Sequence, residues 1–192
     1  DIEGCPGVVE EIISKGGEAA CFAMDVTNKA EIDRVFDEVI KKYGQLDILV
    51  NNAGIFMPKP ALEMTEQEWD EMLSVNLKGE FLCAQRAAKE MAKNKWGRII
   101  NISSIASGGL GIGFAGAAHY VASKGGIIGM TETLAAEWAE LGINVNAIAP
   151  GAIDTPMVRE PGKELSQEML KEINTRVPLK RIGRPEEVSA MV

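Results

Sequence analysis

The sequence is short of histidine, cysteine and positive charge, and each shortage excludes something. One histidine, His119, stands among 192 residues, which leaves no His-based metal site to build. The three cysteines, Cys5, Cys21 and Cys83, are odd in number and widely spaced. They form neither a disulfide framework nor a CxxC metal pattern, so three reduced thiols in a cytosolic, cytoplasmic protein are expected. No apolar run approaches the roughly 18 residues of a membrane-spanning helix, and no signal peptide is visible. Basic residues number 20 against 28 acidic ones, for a formal net charge of −8. Nonspecific nucleic-acid binding rests on Lys and Arg neutralising phosphates, and is therefore not expected. A small anionic ligand stays open, because backbone amides and one or two charges can hold it. The chain opens at Asp1 without a methionine and stops at Val192 just after a helix start, so both ends are read as cut.

What is present is clear periodicity. Ile32, Val35, Phe36, Val39, Ile40 and Tyr43 recur at i, i+3, i+4, i+7, i+8 and i+11, one apolar stripe on a helix that Gly44 ends. Leu46 to Val50 follows as an apolar run of strand length without alternation, as expected for a strand buried on both faces of a parallel sheet. The alternation repeats. Val8 to Lys15 reads as the end of a helix, and Ala19 to Met24 as a strand. Thr65 to about Lys95 reads as one long helix, opened by a capping box with Glu68. Arg98 to Ile102 is a strand, Ala118 to Leu141 a helix, and Ile143 to Ala149 a strand closed by Pro150-Gly151. Leu165 to Val177 is helical, and Pro185 begins a further helix at its first position.

Alternating helices and strands imply βαβ units, right-handed crossovers and a parallel sheet covered on both faces. The expected fold is a single α/β domain over residues 1–192, a Rossmann-like doubly wound sheet in three α/β/α layers. Such sheets bind ligands outside the C-terminal ends of their strands. Here those ends carry small and polar residues: Asp25-Val26, Asn51-Asn52-Ala53-Gly54, Ser103-Ser104 and Pro150-Gly151.

Tyr120 and Lys124 stand at i and i+4 and share a helix face. A free tyrosine titrates near 10, and lowering it toward about 7 needs roughly 4 kcal/mol of preference for the phenolate. A nearby ammonium in a shielded site supplies such a bias, and the tyrosine can then act as general acid or base. By itself the pair also reads as an ordinary exposed helix pair. Ser104 alone reads as a strand-end hydroxyl. Asn76 alone reads as an exposed polar residue, or as one whose side chain bonds an interior water.

Taken together and in order, Asn51-Asn52-Ala53-Gly54, Asn76, Ile102-Ser103-Ser104, Tyr120-xxx-Lys124 and Pro150-Gly151-Ala152-Ile153-Asp154-Thr155 resemble the short-chain dehydrogenase/reductases. The resemblance covers essentially the whole chain. It implies an NAD(P)-dependent oxidoreductase that moves a hydride between the nicotinamide and a secondary alcohol or ketone. Tyr120 would exchange the proton with the substrate oxygen. Lys124 would lower the pKa of Tyr120 and bond the nicotinamide ribose. Ser104, rather than Ser103, would hydrogen-bond the substrate oxygen, and Asn76 would hold a water that connects Lys124 to solvent.

The cofactor contacts it implies are Asp25 and Val26 beside the adenine, and Asn52, Ala53 and Gly54 where the backbone passes the adenosine ribose. Ile153 and Thr155 would hold the carboxamide. Asp1 lies where an acid would accept from both ribose hydroxyls and repel a 2′-phosphate, which favours NAD over NADP without excluding NADP.

Two departures and two decoys follow. The family's Gly-rich phosphate loop and its final strand are both absent from the sequence. Gly111-Ile112-Gly113-Phe114-Ala115-Gly116 fits GxGxxG, but Ile105 to Leu110 separate it from the strand. It is read as a mobile loop beside the substrate. His119 points about 100° away from Tyr120 on a helix and is read as a helix-start residue near that loop. Met157, Met169 and the stretch from Val158 to Arg176 are placed over the substrate as a lid.

The general look is that of bacterial ketoreductases, 3-oxoacyl-carrier-protein reductases among them. Two other classes stay open: a nucleotide-binding sensor or scaffold of the same fold, and an epimerase or dehydratase sharing Tyr-xxx-Lys. The resemblance also implies a homotetramer built through the two long helices.

Overall fold

The computed structural model describes residues 5–107, 113, 115–158 and 166–192, without the side chains of 168, 169 and 172. Three parallel strands, β1 (Ile48–Asn51), β2 (Gly97–Ile102) and β3 (Ile143–Ile148), lie in the order β1-β2-β3. Ile48 pairs with Arg98, and Gly97 with Ile143. Around them run α1 (Cys5–Ser14), α2 (Lys29–Tyr43), α3 (Glu66–Leu73), α4 (Glu80–Asn94), α5 (Ala118–Trp138), α6 (Gln167–Arg176) and α7 (Pro185–Ser189). This is the expected parallel α/β fold.

The apolar stripe of α2 does what its spacing requires. Ile32 and Phe36 join Ala84, Ala87 and Met91 of α4 over Ile99 of β2 and Val145 of β3, with Leu134 of α5 alongside. The side chain of Asn28 caps α2 by accepting from Ala30 and Glu31, and Gly44 closes it at φ 83°. Thr65 and Glu68 form the expected capping box on α3. The opposite face of the sheet is more open than expected. Ile48 and Val50 are 51% and 41% exposed there, and Asn144 and Asn146 are exposed.

Three expectations are corrected. Residues 19–24 form no strand, because no other described strand lies beside them to complete a ladder. Arg34 instead reaches the carbonyl of Ala23, and Met24 packs on the core edge. The single helix expected from Thr65 to Lys95 is interrupted by a π-turn at Ser74–Gly79. Cys5 and Cys21 are joined as a disulfide with Cα atoms 6.0 Å apart, so the reduced-thiol expectation holds only for buried Cys83. The Gly16-Gly17 turn folds the chain back after α1, which brings two cysteines 16 residues apart within bonding range.

Candidate active site

All three strands end at the same edge, and the loops that leave them meet there. Ser103 donates its backbone N–H to Ile148, and Ile105 to Pro150, which ties the loop after β2 to the end of β3 and the loop beyond it. Lys59 donates to the carbonyl of Gly116, which ties the loop after β1 to the approach to α5. Tyr120 and Lys124, one turn apart on α5, are thereby set beside Ser104.

The Ser104 hydroxyl stands near enough to that of Tyr120 to favour its phenolate, and it accepts from the N–H of Ala106 at 3.0 Å. Ser103 is spent elsewhere: its hydroxyl donates to the carbonyl of Lys124 at 2.8 Å, buried. Phe56 meets the Tyr120 ring edge-on, with centroids 4.9 Å apart and planes at 72°. Edge-to-face packing restrains a ring more firmly than apolar contact alone. Lys124 is buried, donates to the carbonyl of Ile102 at 2.6 Å, and holds its ammonium 5.9 Å from the Tyr120 ring centroid.

The electrostatics differ from the expected poise. Burial raises the pKa of Tyr120 above that of a free tyrosine, and the Ser104 hydroxyl works the other way.

Asn76 is fully buried in the π-turn. Its side-chain oxygen accepts from the N–H of Ile55 at 2.8 Å, and its side-chain nitrogen donates to the carbonyl of Ile55 at 3.0 Å. The same nitrogen reaches the sulfur of Met72 and the hydroxyl of Ser123. The side chain is therefore a clamp on the loop after β1, not the exposed polar group its neighbours suggested. The π-turn lets the clamp form, and such turns recur at functional sites.

Beneath the site runs a buried polar chain. Asn51 donates to Asn101 at 2.9 Å and to the backbone carbonyl of Glu80 at 3.1 Å, and Asn101 donates to Thr131 at 2.9 Å. Two sheet-end residues are thus fixed from below. His119 is buried in the first turn of α5, the helix-start place expected for it, and its Nδ1 accepts from the N–H of Tyr120 at 3.0 Å.

The residues expected at the cofactor divide into groups. Asn52, Ala53 and Gly54 are exposed where β1 ends. A Cβ on Gly54 would stand 3.4 Å from the Asn76 oxygen and 3.8 Å from the Lys124 ammonium, so bare backbone passes directly over the lysine. Ile153 bridges Gly183, and the hydroxyl of Thr155 donates to the carbonyl of Ile153. Asp25 is exposed, but its carboxylate accepts both the N–H and the hydroxyl of Thr27 at 2.8 Å, which hold it below the usual carboxylate range. Val26 packs against Gly79 in the π-turn. Asp1, most of the Gly108–Gly116 loop and residues 159–165 of the expected lid lie outside the described residues. Met157, at the start of that lid, is exposed.

Sequence reasoning missed Phe56 and Glu80. Phe56 gives no signal beyond its place after Asn51-Asn52-Ala53-Gly54. No group of three or more metal-ligating side chains occurs among the described residues, and no helix of the described residues is long and apolar enough to cross a membrane.

The fold and this edge define a class. The chain belongs to the short-chain dehydrogenase/reductase family, and is an NAD(P)-dependent oxidoreductase acting on alcohol or carbonyl groups. The sequence profile of a family described as enoyl-(acyl carrier protein) reductase matches residues 3–192. A 3-oxoacyl-(acyl-carrier-protein) reductase of Staphylococcus aureus is 40% identical over 190 residues, which are 99% of this chain and 74% of that protein. The enzyme of the same description from Thermotoga maritima is 40% identical over 191 residues, again 99% and 74%. A solved structure described as a short-chain alcohol dehydrogenase of Sinorhizobium meliloti 1021 superposes with TM-score 0.90 at 36% identity. It covers all of this chain and 74% of that one.

Proposed function

We propose that the protein reduces a ketone to a secondary alcohol, with a 3-oxoacyl group as its leading substrate class. Tyr120 is the proton donor, Ser104 the group that holds the substrate oxygen, and Lys124 the charge behind them. The observation that carries this reading is that Tyr120 and Lys124 stand one turn apart on α5 beside Ser104 at the strand ends, with the Lys124 ammonium 5.9 Å from the Tyr120 ring. The 3-oxoacyl class rests on relatives about 40% identical over nearly the whole chain.

The residues fit a nicotinamide dinucleotide where the backbone of 52–54 passes Lys124, since a side chain at Gly54 would fill that space. When bound, the cofactor supplies the hydride. Asn52, Ala53 and Gly54 would line its adenosine ribose, Lys124 its nicotinamide ribose, and Ile153 and Thr155 its carboxamide. Asp25 would offer the adenine its outer face, because its carboxylate is taken by Thr27. NAD is the preferred form on the strength of Asp1, with NADP as the alternative.

The chain's own residues manage the proton. The Ser104 hydroxyl donates to the substrate oxygen and orients it. The Tyr120 hydroxyl then gives its proton to that oxygen as the carbonyl becomes an alcohol. A phenol held above its usual range keeps that proton at neutral pH, which suits a donor. Lys124 favours the tyrosinate left behind once the site closes around its ligands and their desolvation strengthens its field. Asn76 supports the reaction by fixing Ile55, and with it Phe56 against Tyr120.

The same reading makes the protein a homotetramer. The shallow groove lined by Leu73, Leu77, Phe81 and Met130 supports it, as does Trp69, 37% exposed on α3. It also puts the protein in the cytoplasm.

The test is a panel of ketones, 3-oxoacyl thioesters first, with loss of NADH or NADPH absorbance as the readout. Stoichiometric oxidation of one cofactor on a 3-oxoacyl substrate is expected, faster with NADH. Cofactor binding without turnover on any ketone would replace this reading with that of a sensor.

A further inference from the structure

Glu80 is a buried ionisable group that the mechanism above does not use. It opens α4 directly after the π-turn and is 3% exposed. Among the described residues neither of its carboxyl oxygens has a hydrogen-bond partner. A buried carboxylate without compensation is costly, so its place must be argued from the charge it faces. That charge is Lys124, whose ammonium stands 3.8 Å from Oε1 of Glu80. The ammonium is therefore held between the carbonyl of Ile102 at 2.6 Å on one side and the carboxyl on another. The π-turn and the bond from Asn51 to the backbone carbonyl of Glu80 fix where this side chain starts.

We propose that Glu80 is a positioning residue for Lys124: its carboxylate keeps the ammonium charged and seated behind Tyr120 as the pH rises. The consequence for turnover rests on the function proposed above, since it is there that the charge of Lys124 serves the proton donor.

The titratable groups that face the pair are few. Lys124 comes from α5, with Tyr120 one turn before it, and Cys83 lies on α4 beside Glu80, its thiol pushed up to about 11 by burial. β1 and β2 present Asn51 and Asn101, which do not titrate. Burial pushes the Glu80 carboxyl up to about 8 and pushes the Lys124 ammonium down, each opposed by the charge of the other. Below that range Glu80 carries its own proton. Above it Glu80 becomes the anion that holds the proton on Lys124. Replace the carboxyl with an amide and burial alone acts on the lysine, which then gives up its proton at lower pH.

The experiment follows Lys124 itself. In protein labelled with ¹⁵N-lysine, the Nζ resonance that disappears in Lys124→Met is titrated in the wild type, Glu80→Gln and Glu80→Asp. The Glu80→Gln midpoint should fall by about one pH unit or more, a tenfold or greater loss of proton affinity. Glu80→Asp should fall between the two. The basic limb of the ketone-reduction pH profile should move down by the same amount. A Nζ midpoint that is the same in wild type and Glu80→Gln overturns the proposal. If Glu80→Gln fails to fold, Glu80→Asp decides: a lowered midpoint supports the pairing and an unmoved one overturns it. A wild type that reduces no ketone would sink the proposed function, yet the titration would still decide Glu80.

Discussion

Removing the side chain of Asn76 tests the clamp that holds the loop after β1. Asn76→Ala deletes both hydrogen bonds to Ile55, at its N–H and its carbonyl, with the weaker contacts to Met72 and Ser123, and leaves both backbone groups without their partner. A polar group left unpaired in a buried site costs about 1–3 kcal/mol. Ile55 is half-buried and recovers part of that from water, so a total of roughly 3 kcal/mol is expected. For a domain of this size each kcal/mol moves Tm by about 2–4 °C, which gives a fall of about 6–12 °C. Urea unfolding should report the same loss with an unchanged m-value. Turnover should fall as well, because Phe56 follows Ile55 and packs on Tyr120. Asn76→Asp should not rescue, since it can still accept from the N–H but sets a second oxygen against the Ile55 carbonyl. A loss below about 1 kcal/mol for Asn76→Ala would mean that the loop is held by something else, and the clamp argument would fail.

Other outcomes follow from particular residues. Gly142→Ala should destabilise the protein by at least about 2 kcal/mol, read by urea denaturation: its φ is 75° and the new Cβ would lie 2.0 Å from the carbonyl oxygen of Lys95. Reducing Cys5–Cys21 should speed amide exchange along α1, which has no buried residue, and leave the amides of β2 protected. Equal exchange in both redox states would contradict that. The stability of the wild type relative to Glu80→Gln should decline as pH rises from about 4.5 to about 8. The sign follows from Glu80 being raised on folding: the folded state then binds more protons than the unfolded state in that window, so stability falls with rising pH. A flat or rising difference would refute it.

Much of this was legible in the sequence because it is local. The stripe on α2, its glycine stop and the capping box on α3 depend on neighbours within a few residues. The three strands fall within two residues of their expected limits, since a continuous apolar run says enough about a strand buried in a parallel sheet. Tyr120 and Lys124 were readable as a pair because four residues on a helix fix their shared face.

What was not legible depends on partners far along the chain. Ser74-Val75-Asn76-Leu77 looks like ordinary helix, and the π-turn there seats Asn76 against Ile55, 21 residues earlier. Glu80 looks like a solvated charge on an amphipathic helix, and only packing turns it inward to Lys124. Ala19 to Met24 has strand composition, but a strand needs a neighbour. Cys5 and Cys21 have no telling spacing until α1 and its turn fold them together. The open face of the sheet at Ile48 and Val50 was hidden for the same reason, since an apolar run does not say what covers it.

The central claim is that Tyr120 gives the substrate oxygen its proton. Ketone-dependent oxidation of NADH and NADPH by the wild type and by Tyr120→Phe tests it most directly, with urea unfolding of both as the control for folding. General acid catalysis of this kind contributes typically 10²–10⁴-fold, so kcat should fall by at least about a hundredfold in Tyr120→Phe while the unfolding midpoint stays close to that of the wild type. Turnover that survives the substitution unchanged would contradict the account, and the proton would have to come from another group.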